Sequence, residues 1–192
     1  VDMYGRLRTD PTAGLTNKNI VFSPASIVLA LAMARAGARG TTASQMDDIL
    51  RTDGWTSLAA QLNSLDKELA GHNATWTDEE KNTHALSLRI ANTAFAQPGY
   101  AIEAAFLDAI AEAFGAQLGL VDFEADPEAA RKVINEWVSR QTARRIQELL
   151  VPDNVSADTR LALVNAIYLK ANWQLEFDKE HTADRTFTRN DG

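Results

Sequence analysis

Apolar residues recur along the chain with two periods, and together they predict a fold with both helices and strands. Spacings of three and four residues predict helices, whereas strict alternation predicts strands. The predicted helices are residues 2–8, 24–36, 42–50, 58–71, 102–114 and 127–141. The predicted strands are residues 19–22, 86–97, 117–123 and 160–169, and residues 73–84 are predicted to form a loop.

Capping residues mark three of the predicted helix starts. Ser23 and Asp126 each precede a proline, and a polar N-cap followed by proline at the first helical position favours a helix start. Thr42 lies three residues before Gln45, which is the spacing of a capping box. We therefore expect helices to begin at these three places.

The strand predicted at residues 160–169 carries apolar side chains on both faces, which indicates a strand covered on both sides. Asn165 interrupts one of these faces. A buried amide without partners costs about 1–3 kcal/mol, so we expect polar neighbours, in particular small hydroxyls. From the strand alone, Asn165 is either a structural asparagine satisfied by backbone or part of a polar cluster beneath a sheet that has to open.

Composition limits the classes of function. The chain has 192 residues, of which 45% are hydrophobic, and a net charge of −7, which argues for a packed core and against a nucleic-acid surface. Without cysteine there is no disulfide, zinc–thiolate site or cysteine nucleophile. The longest apolar run, Ile27 to Ala34, is too short to span a membrane.

Catalytic chemistry is not indicated by the histidines. His72, His84 and His181 lie in polar segments, and the sequence has no G-x-S-x-G turn or H-E-x-x-H pair beside them. We interpret them as solvated side chains, and we predict neither an enzyme nor a bound cofactor or metal.

Several segments resemble motifs of the serpin family. Residues 19–27 (NIVFSPASI) resemble serpin strand 6B and the start of helix B. Four further segments resemble the entry to helix C, strand 2A, helix F, and strand 3A with its exit, namely residues 37–46, 90–95, 134–146 and 163–177. The resemblance covers nearly the whole chain in order. It departs from the family at Ala171-Asn172, where glycine is usual, and in the turn after helix F, where Arg144 occupies the glycine position.

The resemblance implies an α+β, serpin-like fold. Helices A–F would pack around part of a large central sheet (strands 1A, 2A and 3A), which is incomplete without the carboxy-terminal half. Residues 1–192 are then expected to be the amino-terminal portion of a single serpin domain, ending before the reactive-centre loop. Strand 3A would lack a neighbour, so we expect completion by the carboxy-terminal remainder of the same protein, or self-association.

For function, the resemblance implies an inhibitor of serine-type endopeptidases that acts as a suicide substrate by inserting its cleaved loop into the sheet. The partner would be a target serine protease. Two alternatives stay open: a non-inhibitory serpin (chaperone, carrier or structural protein) and a cross-class inhibitor of cysteine proteases. The compartment is open as well, with an extracellular location favoured over a cytoplasmic one.

The resemblance also assigns roles to individual residues. Ser23, Ser26 and Asn165 would form the polar "shutter" beneath the sheet, and Trp173 would lie at the "breach", where insertion begins. Each has a simpler interpretation, Ser23 as an N-cap, Ser26 as an ordinary early-helix serine and Trp173 as a core aromatic.

Two further residues, Asn135 and Trp137, would pack helix F onto the sheet. No heparin-like activator is predicted, because Lys67 is the only basic residue between Leu58 and Ala70 and has acidic neighbours.

Overall fold

A computed structural model describes residues 2–10, 12, 20–79, 81–173 and 177–188. These residues fall into two compact units, one of residues 25–172 and the other of residues 1–24 and 173–192. Six helices are described: α1 Asp2–Thr9, α2 Pro24–Gly37, α3 Gly40–Leu50, α4 Trp55–Gly71, α5 Ala104–Phe114 and α6 Pro127–Gln141. Four strands are described: β1 Ala74–Thr77, β2 Thr83–Ala96, β3 Gln117–Leu120 and β4 Leu161–Lys170. None of the described helices is long and apolar enough to cross a membrane.

The four strands form one sheet around β2. β4 runs antiparallel to β2 from Ser87↔Lys170 to Ala96↔Leu161. On its other side β2 pairs antiparallel with β1 and parallel with β3. A fold of the α+β class is therefore confirmed.

Each face of the β2–β4 pair packs against its own apolar cluster. One cluster joins α2, α4 and α5 to the sheet and includes Met33, Leu62, Ile110 and Phe114. The other joins α6 to the sheet and includes Phe95, Ile134, Val138 and Val164. Side chains of β4 alternate between the two clusters, so the prediction that this strand is covered on both faces is confirmed, although Leu169 and Lys170 at its end are exposed.

The helix starts predicted from capping residues are found in the structure at two of the three places. The Asp126 side chain accepts a 2.9 Å hydrogen bond from the backbone N–H of Ala129, and Pro127 opens α6 as predicted. α2 begins at Pro24, as predicted from Ser23-Pro24. The predicted start at Thr42 is wrong, because α3 already begins at Gly40 and its N-cap residue, Arg39, provides no side-chain cap.

Residues 73–84 contain a hairpin rather than the predicted loop. β1 pairs with the first residues of β2, and Trp76 stacks on His84 with ring centroids 5.6 Å apart. Asp78 closes the turn by accepting hydrogen bonds from the backbone N–H of Asn82 and from His84 Nε2. All four β1 residues are exposed, so the strand lacks the buried alternation on which the sequence prediction depended.

Residues 20–22 do not form the predicted strand, and Asn19 lies outside the described residues. The following helix, α2, is buried on one side only. Apolar residues on nearly all sides of this helix indicate complete burial, but Val28 and Leu31 are exposed.

The turn after α6 contains two non-glycine residues in the left-handed region, Ala143 (φ +47°) and Arg144 (φ +62°). Thr142 holds this turn: its hydroxyl donates to the Val138 carbonyl at 2.9 Å and accepts from the Ile146 N–H at 3.1 Å. The departure from the family pattern at Arg144 therefore places an arginine where the backbone favours glycine.

We predict that Arg144→Gly stabilises the protein. A non-glycine residue in the left-handed region costs roughly 1–2 kcal/mol, and the extra chain entropy of glycine offsets about 0.4–1 kcal/mol of the gain. Urea unfolding should show a free energy of unfolding higher by about 0.5–1 kcal/mol. Arg145→Gly is the matched control, because Arg145 is not among the residues with positive φ, and it should lower that free energy. Equal losses for both variants would contradict the prediction.

The β1–β2 hairpin should weaken in acid. The hydrogen bond from His84 is the largest cause that lowers the pKa of Asp78 to about 2. Burial opposes this effect, and the hydrogen bonds from Asn82 lower the pKa further. A carboxylate with a lowered folded-state pKa contributes stability above its unfolded pKa of about 3.9, and this contribution is lost as the pH falls towards 2. Nuclear Overhauser contacts between the Trp76 and His84 rings should therefore fade over that window.

Asp78→Asn should weaken these ring contacts already at pH 5 and remove most of their pH dependence. Glu79→Gln, which changes the neighbouring exposed carboxylate, should leave the profile unchanged. An unaltered profile in Asp78→Asn would show that another group controls the hairpin.

Candidate functional site

Asn165 lies in the middle of β4, directly opposite Asn92 of β2. Its side-chain Nδ2 donates a 2.8 Å hydrogen bond to Oδ1 of Asn92. Asn92 is buried, and its own Nδ2 points to the carbonyl of Phe114 at 3.4 Å. The amide pair thus links the two long strands and the end of α5 by side-chain hydrogen bonds.

The second polar atom of Asn165 is not satisfied by this arrangement. Oδ1 of Asn165 is buried and has no hydrogen-bond partner among the described residues. A buried acceptor without a donor costs about 1–3 kcal/mol. The amide pair is therefore a polar site in an apolar layer with room for one more donor.

Ser23 and Ser26, the other two predicted shutter residues, lie at the start of α2. Ser23 is exposed and directly precedes the helix, and Ser26 is half-buried in the first turn. Contact of either hydroxyl with Asn165 stays a prediction.

Trp173, the predicted breach residue, belongs to the smaller unit and is 71% exposed. Its ring meets the ring of Phe177 edge to face, with centroids 5.8 Å apart. Its role in insertion stays a prediction.

The two residues predicted to pack helix F lie on α6 and make different contacts. Trp137 meets Phe95 of β2 edge to face, with centroids 6.2 Å apart, and so contacts the sheet. Asn135 is buried and turns instead to the chain that follows the helix. Its Nδ2 donates to the Leu150 carbonyl at 2.8 Å, and its Oδ1 accepts from the N–H groups of Leu149 and Leu150.

Sequence reasoning missed two residues of this region. Asn92 lies on the same alternating face as Leu88 and Ile90, so the argument that singled out Asn165 applied to it equally. Arg131 is a nearly buried cation on α6, one helical turn before Asn135. Its signal was an arginine among the inward-facing positions of a helix face that is apolar apart from Asn135.

Within the described ranges, the three histidines each lie beside a different polar group. His84 contacts Asp78, His181 contacts Asp178, and Nδ1 of His72 lies 2.8 Å from the Glu68 carbonyl. Within the described part of the chain, no group of three or more histidine, aspartate or glutamate side chains is placed to hold a metal ion.

The fold and the amide pair define an α+β protein whose buried sheet strand carries a polar pair between two apolar layers. Comparison with known proteins gives the family. The family described as serpin (serine protease inhibitor) matches residues 1–192, and the chain belongs to this family.

Relatives and solved structures agree with this assignment. The leukocyte elastase inhibitor of Xenopus tropicalis is 38% identical over 189 residues, which cover 98% of this chain and 47% of the relative. That of Equus caballus is 40% identical over 191 residues, covering 99% of this chain and 46% of the relative. The structure of ovalbumin from emu (Dromaius novaehollandiae) superposes with a TM-score of 0.84 at 28% identity, covering 97% of this chain and 48% of ovalbumin. The chain spans about half the length of the relatives it matches.

Removing both members of the amide pair should cost less than the sum of the two single removals. Asn92→Leu leaves Asn165 buried without its acceptor and should lower the free energy of unfolding by about 1–3 kcal/mol. In the double variant Asn92→Leu/Asn165→Leu both polar groups are replaced by apolar ones of similar size, so the loss should be smaller than the sum of the two single losses. Urea unfolding of the four proteins in a double-mutant cycle measures the coupling. Strict additivity would mean that the two amides do not depend on each other.

Proposed function

We propose that this chain is the amino-terminal portion of a single serpin domain and supplies the scaffold of an inhibitor of serine-type endopeptidases. The inhibitor would act as a suicide substrate: a protease cleaves an exposed loop, and the loop then inserts into the sheet as a new strand. The nucleophile and the acyl-enzyme belong to the protease, so the chain contributes stored strain and not catalysis.

The observation that carries this proposal is the edge of β4. All ten residues of β4 pair with β2 on one side, and both faces of the strand are packed. Among the described residues only β2 pairs with β4. A strand covered on both faces usually lies inside a sheet, and an open edge on such a strand recruits another strand. The edge of β4 is therefore the place at which we expect an inserted strand.

The amide pair supports the same position. Oδ1 of Asn165 is a buried acceptor on this strand, and a donor brought by an additional strand or by the Ser23 and Ser26 hydroxyls would satisfy it. We propose that Ser23, Ser26 and Asn165 form the shutter, which stabilises the closed sheet and is rearranged when the sheet opens. In this view Trp173 lies where opening begins.

A polyanion such as heparin is not part of the proposed mechanism. α4 presents Asp66, Lys67 and Glu68 on its exposed side, so a single cation stands between two anions. Such a surface does not attract a sulfated polymer.

The target class comes from the relatives. Two proteins that match nearly the whole chain are named leukocyte elastase inhibitors. We therefore propose an elastase-like serine protease as the first target to test.

The test is incubation of the full-length protein with elastase, trypsin, chymotrypsin, subtilisin and papain, followed by denaturing electrophoresis. We expect an SDS-stable band above the mass of either protein with at least one serine protease. Elastase whose active-site serine has been blocked beforehand is the control and should give no band. A band with papain alone would assign a cross-class inhibitor, and cleavage without any stable band would favour a non-inhibitory serpin for the proteases tried.

A further inference from the structure

Arg131 binds α6 to the chain that follows it. The side chain is only 7% exposed, and its guanidinium makes four hydrogen bonds. Two go to the Glu128 carboxylate on the same helix, at 2.7 and 2.8 Å. The other two reach across to the Glu148 carboxylate at 2.7 Å and to the Leu150 carbonyl at 2.6 Å. Four of the five N–H donors of this buried cation thus have acceptors, and two of these acceptors lie outside its own helix.

Asn135 repeats the same connection one turn later. Because residues four apart share one face of a helix, Arg131 and Asn135 approach the following chain from the same side. Asn135 bonds the backbone of Leu149 and Leu150 by three hydrogen bonds. Together the two side chains hold three consecutive residues, 148–150, against α6. We refer to residues 127–150 as the α6 module.

Contact between the α6 module and the sheet has a different character. Ile134 and Val138 pack with Val164 of β4, and Trp137 packs with Phe95 of β2. The Phe95 ring in turn lies so close over Gly119 of β3 that a Cβ there would meet it at 2.7 Å. Among the described residues, no hydrogen bond or ion pair joins residues 127–150 to β2 or β4. Apolar packing is non-directional, so it can be lost and restored without leaving polar groups unpaired.

We infer that Arg131 is the positioning residue that makes α6 and residues 148–150 one body, so that this segment follows the helix whenever the α6 module separates from the sheet. The polar contacts of the α6 module given above are internal and survive separation from the sheet, whereas the contacts between the module and the sheet are apolar. The part of this inference that concerns insertion of a strand beside β4 rests on the proposed function. If α6 rose without residues 148–150, that segment would stay over the sheet and obstruct the strands that have to move apart.

Hydrogen exchange measured by mass spectrometry tests the coupling without any protease. In the unchanged full-length protein, peptides from α6 and from residues 146–151 should exchange through one common opening, with equal rates and equal dependence on urea. Arg131→Met removes both bonds to residues 148 and 150. Exchange at residues 146–151 should then become at least about tenfold faster relative to α6, since hydrogen bonds to charged groups are among the stronger ones.

Lys132→Met is the matched control. Lys132 is the adjacent cation, it is exposed, and it reaches only Glu128, at 3.5 Å. Its replacement should leave the two peptides coupled. Glu148→Gln removes the charge of one acceptor and should uncouple them in the same direction by a smaller factor, which keeps the test available if Arg131→Met fails to fold. The inference is wrong if residues 146–151 already exchange independently in the unchanged protein, or if Arg131→Met accelerates both peptides equally.

A second measurement separates this inference from the proposed function. With a protease that forms the stable complex, the number of inhibitor molecules consumed per protease should rise in Arg131→Met and not in Lys132→Met, because slower insertion lets more of the acyl-enzyme be hydrolysed. If Arg131→Met and Lys132→Met consume equal numbers of inhibitor molecules per protease, the module has no role in insertion. If no protease forms a complex, the proposed function fails, and the exchange experiment still decides whether the module moves as one body.

Discussion

Ten consecutive residue pairs join β2 to β4, and this ladder determines where the other parts of the larger unit can lie. Its two faces carry different apolar clusters, so a shift of one residue would turn every side chain of β4 towards the wrong cluster. Leu163 and Ile167 would lose α2, α4 and α5, while Val164 and Ala166 would lose α6. The register of one strand pair therefore fixes both cores at once.

Apolar packing alone defines this register only weakly, because Leu, Val, Ile and Ala side chains on the two faces differ little in chemistry. The Asn92–Asn165 pair adds a directional contact at the centre of the ladder. A shift of two residues, which keeps every side chain on its own face, would bring each amide opposite an apolar neighbour, at a cost of about 1–3 kcal/mol per unpaired group. Oδ1 of Asn165 has no partner among the described residues, so the contact leaves one acceptor of the pair unsatisfied within that part of the chain.

The sequence predicts those features that depend on local patterns. The two apolar faces of β4, the proline-marked starts of α2 and α6 and the polar anomaly at Asn165 are all visible in short windows. The bonded partner of Asn165 described in the structure is the amide of Asn92, 73 positions away, and the expected contact with the Ser23 and Ser26 hydroxyls stays a prediction. That partner depends on strand register, which no local pattern encodes. The β1 hairpin was missed because its four exposed residues have no buried alternation, and its turn is held by Asp78 through hydrogen bonds to side chains several residues away.

Directional contacts (hydrogen bonds and ion pairs) and non-directional contacts (apolar packing) occur at different places in this structure. Within the α6 module, polar groups of Arg131, Asn135 and Thr142 hold the helix to its following chain, and between the module and the sheet the contact is apolar. In the same way, a directional contact, the amide pair, holds β2 to β4, whereas the layers on both sides of this pair are held by apolar packing. Under the proposed function, the sheet would open by breaking contacts that can form again in a new position, and apolar surfaces satisfy this requirement better than hydrogen bonds of fixed geometry. Bonds of fixed geometry are then most useful inside the bodies that move, where they keep each body intact while its neighbours change.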